Sequence, residues 1–128
     1  MKYCLFSRTG EKEEIGIFEI TDEISPHNYN EIRNYIVEYV DDERIETIWI
    51  DLSKVDFITS SGIGMFFDIY KRMLMNKQFL LFMNISNYSK KIFHQMGLYR
   101  IFPVADDFLD SMYQFERWKK VKFLEINT

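Results

Sequence analysis

The chain has 128 residues, of which 47% are hydrophobic and 17% aromatic, enough apolar area for one domain to bury roughly two thirds of its unfolded surface without disulfides or a metal. A net charge of −4, with no basic run longer than pairs such as Lys90-Lys91 and Lys119-Lys120, lacks the electrostatic footprint of a nucleic-acid binder. The apolar runs are strand-sized, too short for a signal peptide core or a membrane span, and the expectation is a soluble cytoplasmic protein.

In chain order, residues 2–8 read as a strand, residues 9–14 as a turn and residues 15–20 as a second strand, together a hairpin. Cys4, the only cysteine, falls in the first strand, where a buried inert thiol is expected. With Ser25 as cap and Pro26 at the first helical position, Tyr29, Ile32, Ile36 and Val40 form the apolar stripe of a first helix. Residues 45–52 are almost continuously apolar and β-branched, the pattern of a central strand covered on both faces.

Ile63, Phe66, Phe67, Tyr70 and Leu74 then repeat at helical spacing, and residues 78–85 return as a strand, a right-handed crossover. Ser86 caps a third helix through Tyr88, Ile92, Phe93 and Met96, with Gly97 as its stop. Residues 99–104 read as a short strand, and Asp106 as the cap of a fourth helix through Phe108, Met112 and Phe115. After about residue 117 the pattern is an extension that suits a strand, a helix or a flap. Trp118 there can cover a sheet edge or face a partner. The sum is an α/β fold over residues 1–128: an initial hairpin, parallel strands making a mixed sheet of four or five, and about four helices.

The chemistry concentrates at the corner "ITSSGIG", residues 58–64. Thr59, Ser60 or Ser61 can cap the helix that follows, a contribution of about 1 kcal/mol, and Gly62 and Gly64 leave part of its first turn bare. A serine nucleophile needs a base and an orienter; the chain has only His27 and His94, each expected on a solvent-facing part of a helix, and the G-x-S-x-G elbow is broken by Ile58. No lysine follows the glycines as in a phosphate loop. The acidic pairs Asp41-Asp42 and Asp106-Asp107 sit at helix ends without His or Cys, as solvated caps and not as metal ligands.

A switch is the remaining chemistry: a phosphoryl group on Ser60 adds about −1.5 to −2 charge at a helix N-terminus, which tolerates anions, while a partner packed on that corner does not. Ile63 and Met65 are candidate exposed apolar anchors of such a partner, with core packing as the alternative reading. Asp51 and Asp56, before the corner, read as structural. A small-ligand or nucleotide site at the strand ends is the reading from a different class.

The stretch "DLSKVDFITSSGIGMFFDIYKRM" resembles the signature of the STAS family of bacterial anti-sigma factor antagonists: an apolar strand, Asp-Ser-Ser/Thr-Gly-Leu/Ile-Gly, then a helix. "EISPHNYNEIRNYI" and "MNISNYSKKIFHQMGLYRIFPVADDFLDSM" are more loosely similar to the family's first helix and to its later strand, helix, Gly-Leu turn, short strand and last helix. The resemblance implies a binding module and not an enzyme, with no cofactor. Ser60 would be the serine phosphorylated by a GHKL-type kinase that doubles as an anti-sigma factor, Ser61 a secondary site, and a serine phosphatase the reset. The contact face it implies is Ser25, Thr59, Ser60, Ser61, Gly62, Ile63, Gly64 and Met65. Thr59 and Ser25 stand where the family usually carries acids. A STAS module in another signalling pathway, binding without phosphorylation, is the alternative within the family.

Overall fold

The computed structural model describes residues 1–7 and 14–126; of the expected turn, only Glu14 lies within them, as the start of the second strand. The elements are β1 (Lys2–Ser7), β2 (Glu14–Glu19), α1 (Tyr29–Val40), β3 (Ile45–Asp51), α2 (Ser60–Met75), β4 (Phe79–Met83), α3 (Asn87–Gln95), a 3₁₀ turn (Leu98–Arg100), β5 (Val104–Ala105) and α4 (Phe108–Ile126). The five strands lie in the order β1-β2-β3-β4-β5. β1 and β2 form the antiparallel hairpin, with Cys4 opposite Ile17, and the remaining pairs are parallel. The expected mixed sheet of an α/β fold is therefore present, with β3 at its middle.

Because strand side chains alternate between faces, β3 sends Ile48 and Ile50 to one side and Thr47 and Trp49 to the other. The first side packs with Ile32 and Ile36 of α1, Ile63, Phe66, Ile69 and Met73 of α2 and Phe93 of α3. The second packs Trp49, Leu81 and Met83 against Phe115, Met112 and Trp118 of α4. The buried indole N–H of Trp49 donates to the Thr47 hydroxyl at 3.0 Å, which itself donates to the Phe79 carbonyl at 2.6 Å. That chain satisfies both polar groups inside an apolar layer, as buried donors require. Gln78 ties three elements together: its amide donates to the carbonyls of Val40 and Ile45 at 2.8 and 3.0 Å.

Two helix boundaries match their sequence signals. The Ser86 hydroxyl accepts from the Ser89 N–H at 3.1 Å, and Gly97, at φ 66°, ends α3 in the left-handed conformation that glycine adopts without strain. Others shift. Residues 25–28 form a turn ahead of α1, because Asn28 binds back on it: the Ser25 N–H donates to Asn28 Oδ1 at 2.9 Å, and the Asn28 amide donates to the Glu23 carbonyl. Asp107, not Asp106, caps α4, accepting from the Asp110 N–H at 2.8 Å, while Asp110 accepts from the Asp106 N–H at 3.0 Å. Of residues 99–104 only Val104 joins the sheet, since the 3₁₀ turn at 98–100 places Leu98 and Phe102 in the core. Leu74 is exposed; the buried stripe of α2 runs through Ile69 and Met73 instead.

Two further outcomes concern the ends of the chain. Cys4 is exposed, contrary to expectation. It lies on the edge strand, on the sheet face that α4 covers, but α4 packs chiefly over β4 and β5. The segment after 117 continues α4 as helix. Trp118 stacks on Phe79 at a centroid distance of 5.4 Å, so it covers the sheet at the base of β4.

Candidate functional site

The corner between β3 and α2 is held from three directions. Asp51, at the end of β3, accepts from the Ser53 N–H at 2.8 Å and from the Asn84 amide at 3.2 Å, which turns the chain out of the sheet. The Ser86 hydroxyl donates to the Val55 carbonyl. Beyond them Ile58 bridges Ile24 in parallel fashion: the Ile24 N–H donates to the Phe57 carbonyl and the Thr59 N–H to the Ile24 carbonyl, both at 2.9 Å. Through Ile24, Ser25 is brought beside Thr59. Asp51 is thereby structural, as expected, and Asp56 is exposed on the loop.

Thr59 occupies the cap position of α2 but does not cap it. Its hydroxyl donates to the Ile24 carbonyl at 3.2 Å, and the helix starts with the Ile63 N–H donating to the Thr59 carbonyl at 3.1 Å. The N–H groups of Ser60, Ser61 and Gly62 precede the first intrahelical bond and receive no side-chain cap from Thr59. Ser60 itself is exposed and Ser61 half-buried. The arrangement is an exposed hydroxyl at the positive end of a 16-residue helix, where added negative charge is stabilised by the dipole.

The two glycines have opposite roles. A Cβ on Gly62 would stand 2.4 Å from Ile24 Cγ2 and 2.9 Å from Ile58 Cγ2, whereas a Cβ on Gly64 would meet nothing within 4 Å. Gly62 therefore lets the 21–25 segment seat on the helix. Gly64, one turn on from Ser60, is the glycine that leaves backbone bare to the outside.

Ile63 and Met65 are 5% and 1% exposed, so neither is a surface anchor. Both belong to the core cluster that also holds Ile24, Ile58 and the inward residues of β3. In their place the structure presents Phe57, 46% exposed, its ring 6.2 Å from that of Tyr88. Alternation from Val55 would have turned Phe57 inward; the Ile24–Ile58 bridge fixes Ile58 inward and so turns Phe57 out. The charged side chains of 21–28 and 56–61 are Asp22, Glu23 and Asp56, all acidic and all exposed. Lys54, just before them, bonds Glu19 at 2.9 Å. That hydrogen bond holds the Glu19 carboxyl below its ordinary range and raises Lys54.

Other candidate residues lie elsewhere. His94 is exposed on α3, and His27 is exposed in the turn before α1. Of the four carboxylates that could have suggested a metal, three are engaged: Asp41 by Arg72 at 3.0 and 3.1 Å, Asp42 by Arg44 at 3.0 Å, and Asp107 as the cap of α4. At the carboxyl ends of β4 and β5 an open cleft of about 360 Å³ is lined by Asn84, Lys90, Tyr99 and Asp106 among others. A small-ligand reading would use this space. Among the described residues no helix is long and apolar enough to cross a membrane.

Comparison with known proteins agrees with the signature. The chain is similar in structure to SpoIIAA, an anti-sigma factor antagonist, in its unphosphorylated form (TM-score 0.69, 19% identity, 91% of this chain and 96% of that one). It is similar to the phosphorylated form of the Bacillus cell fate determinant SpoIIAA (TM-score 0.57, 18% identity, 91% and 98%) and to an anti-sigma factor antagonist from Mycobacterium paratuberculosis (TM-score 0.70, 20% identity, 91% and 93%). These likenesses carry the fold. The STAS domain family model matches residues 8–110, a span that takes in the corner and every strand from β2 to β5, and the chain belongs to the STAS domain family.

Proposed function

We propose that this protein is an anti-sigma factor antagonist whose binding is switched at Ser60. Unmodified, it captures an anti-sigma factor that is also a GHKL-type serine kinase and so frees a sigma factor; phosphorylated on Ser60, it releases that partner, and a serine phosphatase resets it. In this reading the chain is a cytoplasmic substrate and binding module and not an enzyme, one STAS domain over residues 1–128 with an extension after about 117. The observation that carries it is the exposed Ser60 hydroxyl at the start of α2, on a helix end whose cap residue has turned its own hydroxyl away. Ser61, half-buried, is the secondary site.

The contact face comprises Ser25, Thr59, Ser60, Ser61 and Gly64, with Phe57 as its apolar anchor. Gly62, Ile63 and Met65 support it from beneath. Exposed Asp22, Glu23 and Asp56 supply carboxylates near the positions where Thr59 and Ser25 are uncharged, and favour a basic rim on the partner.

Incubation with ATP and a GHKL-type anti-sigma kinase, followed by mass-spectrometric mapping, should place phosphate on Ser60 and none on a Ser60→Ala variant. Tight binding with no serine modified would sink the switch and leave a constitutive STAS module of another pathway, the reading that uncharged Thr59 and Ser25 favour. Phe57→Ala should weaken capture about 10- to 100-fold, the range of a single aromatic anchor, with an unchanged melting midpoint. Unchanged affinity, read by titration calorimetry, would remove Phe57 from the interface.

A further inference from the structure

The outer face of α4 is made of side chains that a solvent-facing helix does not need. Leu109 is 77% exposed, Tyr113 60%, Phe123 65% and Leu124 60%, while the inner face of the same helix, through Met112, Phe115 and Trp118, covers the sheet. Leu109, Tyr113, Glu116, Lys120 and Phe123 follow one another at intervals of four, three, four and three residues. That is the seam spacing of a helix that packs along a second helix. Charge along α4 is also polarised. Asp106, Asp107 and Asp110 are the only charged residues from 106 to 114, whereas in the second half Arg117 and Lys120 are exposed and Lys119 and Lys122 lie over the Phe115 and Trp118 rings on the sheet side.

A helix with an acidic first half and a basic second half complements a copy of itself only when the two run antiparallel. We propose that the outer face of α4 pairs with the same face of a second copy of this chain, antiparallel about a two-fold axis near residue 116. In that register Leu109 lies against Phe123 of the second copy and Tyr113 against its Lys120, an apolar pair and a cation–π pair, each made twice. The acidic start of each helix lies along the basic half of the other. The antiparallel pair brings like charges together only at Glu116, on the axis, whereas a parallel pair would set them side by side along the whole helix. Since α4 lies on the opposite face of the sheet from α2, pairing leaves both Ser60 corners open, and the inference stands whether or not Ser60 is a switch.

Sedimentation equilibrium of the full chain across about 1 to 200 µM should show a concentration-dependent monomer–dimer equilibrium, as mass action requires. Leu109→Glu and Leu124→Glu, both at exposed positions, should each weaken it about tenfold or more, a loss of about 1.4 kcal/mol, with unchanged circular dichroism. For orientation, Leu109→Cys and Phe123→Cys proteins, each also carrying Cys4→Ser, are mixed and oxidised. The 109-to-123 cross-link is expected, and a predominance of 109-to-109 overturns the antiparallel arrangement. A wild-type chain that stays monomeric throughout overturns the proposal. So does one that is monomeric yet cosediments with phosphatidylserine vesicles, which assigns the face to a lipid surface.

Discussion

Phosphorylation of Ser60 is expected to lower affinity for the proposed kinase partner several hundredfold, about 3 to 4 kcal/mol, while leaving the domain's own melting midpoint within a few degrees. The two halves of this expectation come from opposite sides of one helix end. Inside the domain, a dianion on Ser60 meets the positive end of α2 and N–H groups not capped by Thr59, an interaction worth about 0.3 to 1 kcal/mol in favour of the folded state. Across the interface a partner surface shaped for the neutral hydroxyl must desolvate the same charge unpaired. Titrating the kinase with the unmodified and the Ser60-phosphorylated protein, alongside thermal melts of both, checks each half. Equal affinities would dismiss the switch. A melting point lowered by about 10 °C or more would mean that the modification acts on the fold and not on the interface.

Gly62→Ala and Gly64→Ala should move stability in opposite directions although only Ile63 separates the two positions. At Gly62 the new methyl would stand 2.4 Å from Ile24 Cγ2. Ile24 and Ile58 are β-branched and rotationally stiff, both are buried, and Ile24 is hydrogen-bonded to Phe57 and Thr59 on either side of Ile58, so neither retreats without opening the bridge. Overpacking of this kind costs about 1 to 3 kcal/mol, more than the gain of up to about 1 kcal/mol from replacing glycine in a helix. Gly64→Ala keeps only that gain, because its methyl meets nothing. Urea melts should therefore show the midpoint falling for Gly62→Ala and holding or rising for Gly64→Ala. If Gly62→Ala were as stable as the wild type, the 21–25 segment would not be clamped against α2. The same Gly64→Ala protein should bind the kinase more weakly, since its methyl occupies the space above the bare turn.

The elements legible in the sequence are those whose evidence is local. The near-continuous apolar run of β3 and the caps Ser86 and Gly97 need only their neighbours to be interpreted, and the signature corner places Ser60 correctly at a helix start. What the sequence conceals depends on chain brought from far away. Ile63 and Met65 stand at a helix start that is open until residues 21–25 fold over it, and the hydrogen bond that fixes this joins Thr59 to Ile24, 35 residues earlier. Phe57 is turned outward by the same bridge, against the alternation of its own segment. Cys4 is exposed because α4 does not reach the hairpin edge, a matter of where a helix a hundred residues later comes to rest. The extension after 117 is ambiguous by periodicity because both faces of α4 are apolar, one toward the sheet and one outward.

The order of the strands has a consequence for how the molecule is made. Every strand lies beside the one that precedes it in the chain, so a polypeptide leaving the ribosome can extend the sheet at one growing edge and no later strand has to be threaded between earlier ones. Helices α1, α2 and α3 close their face of the sheet during synthesis. The other face, with Trp49, Leu81 and Phe79, stays open until α4 has been translated. Chains truncated before Phe108 leave that face uncovered and are expected to aggregate more readily than the full chain, as a comparison of their soluble fractions would show.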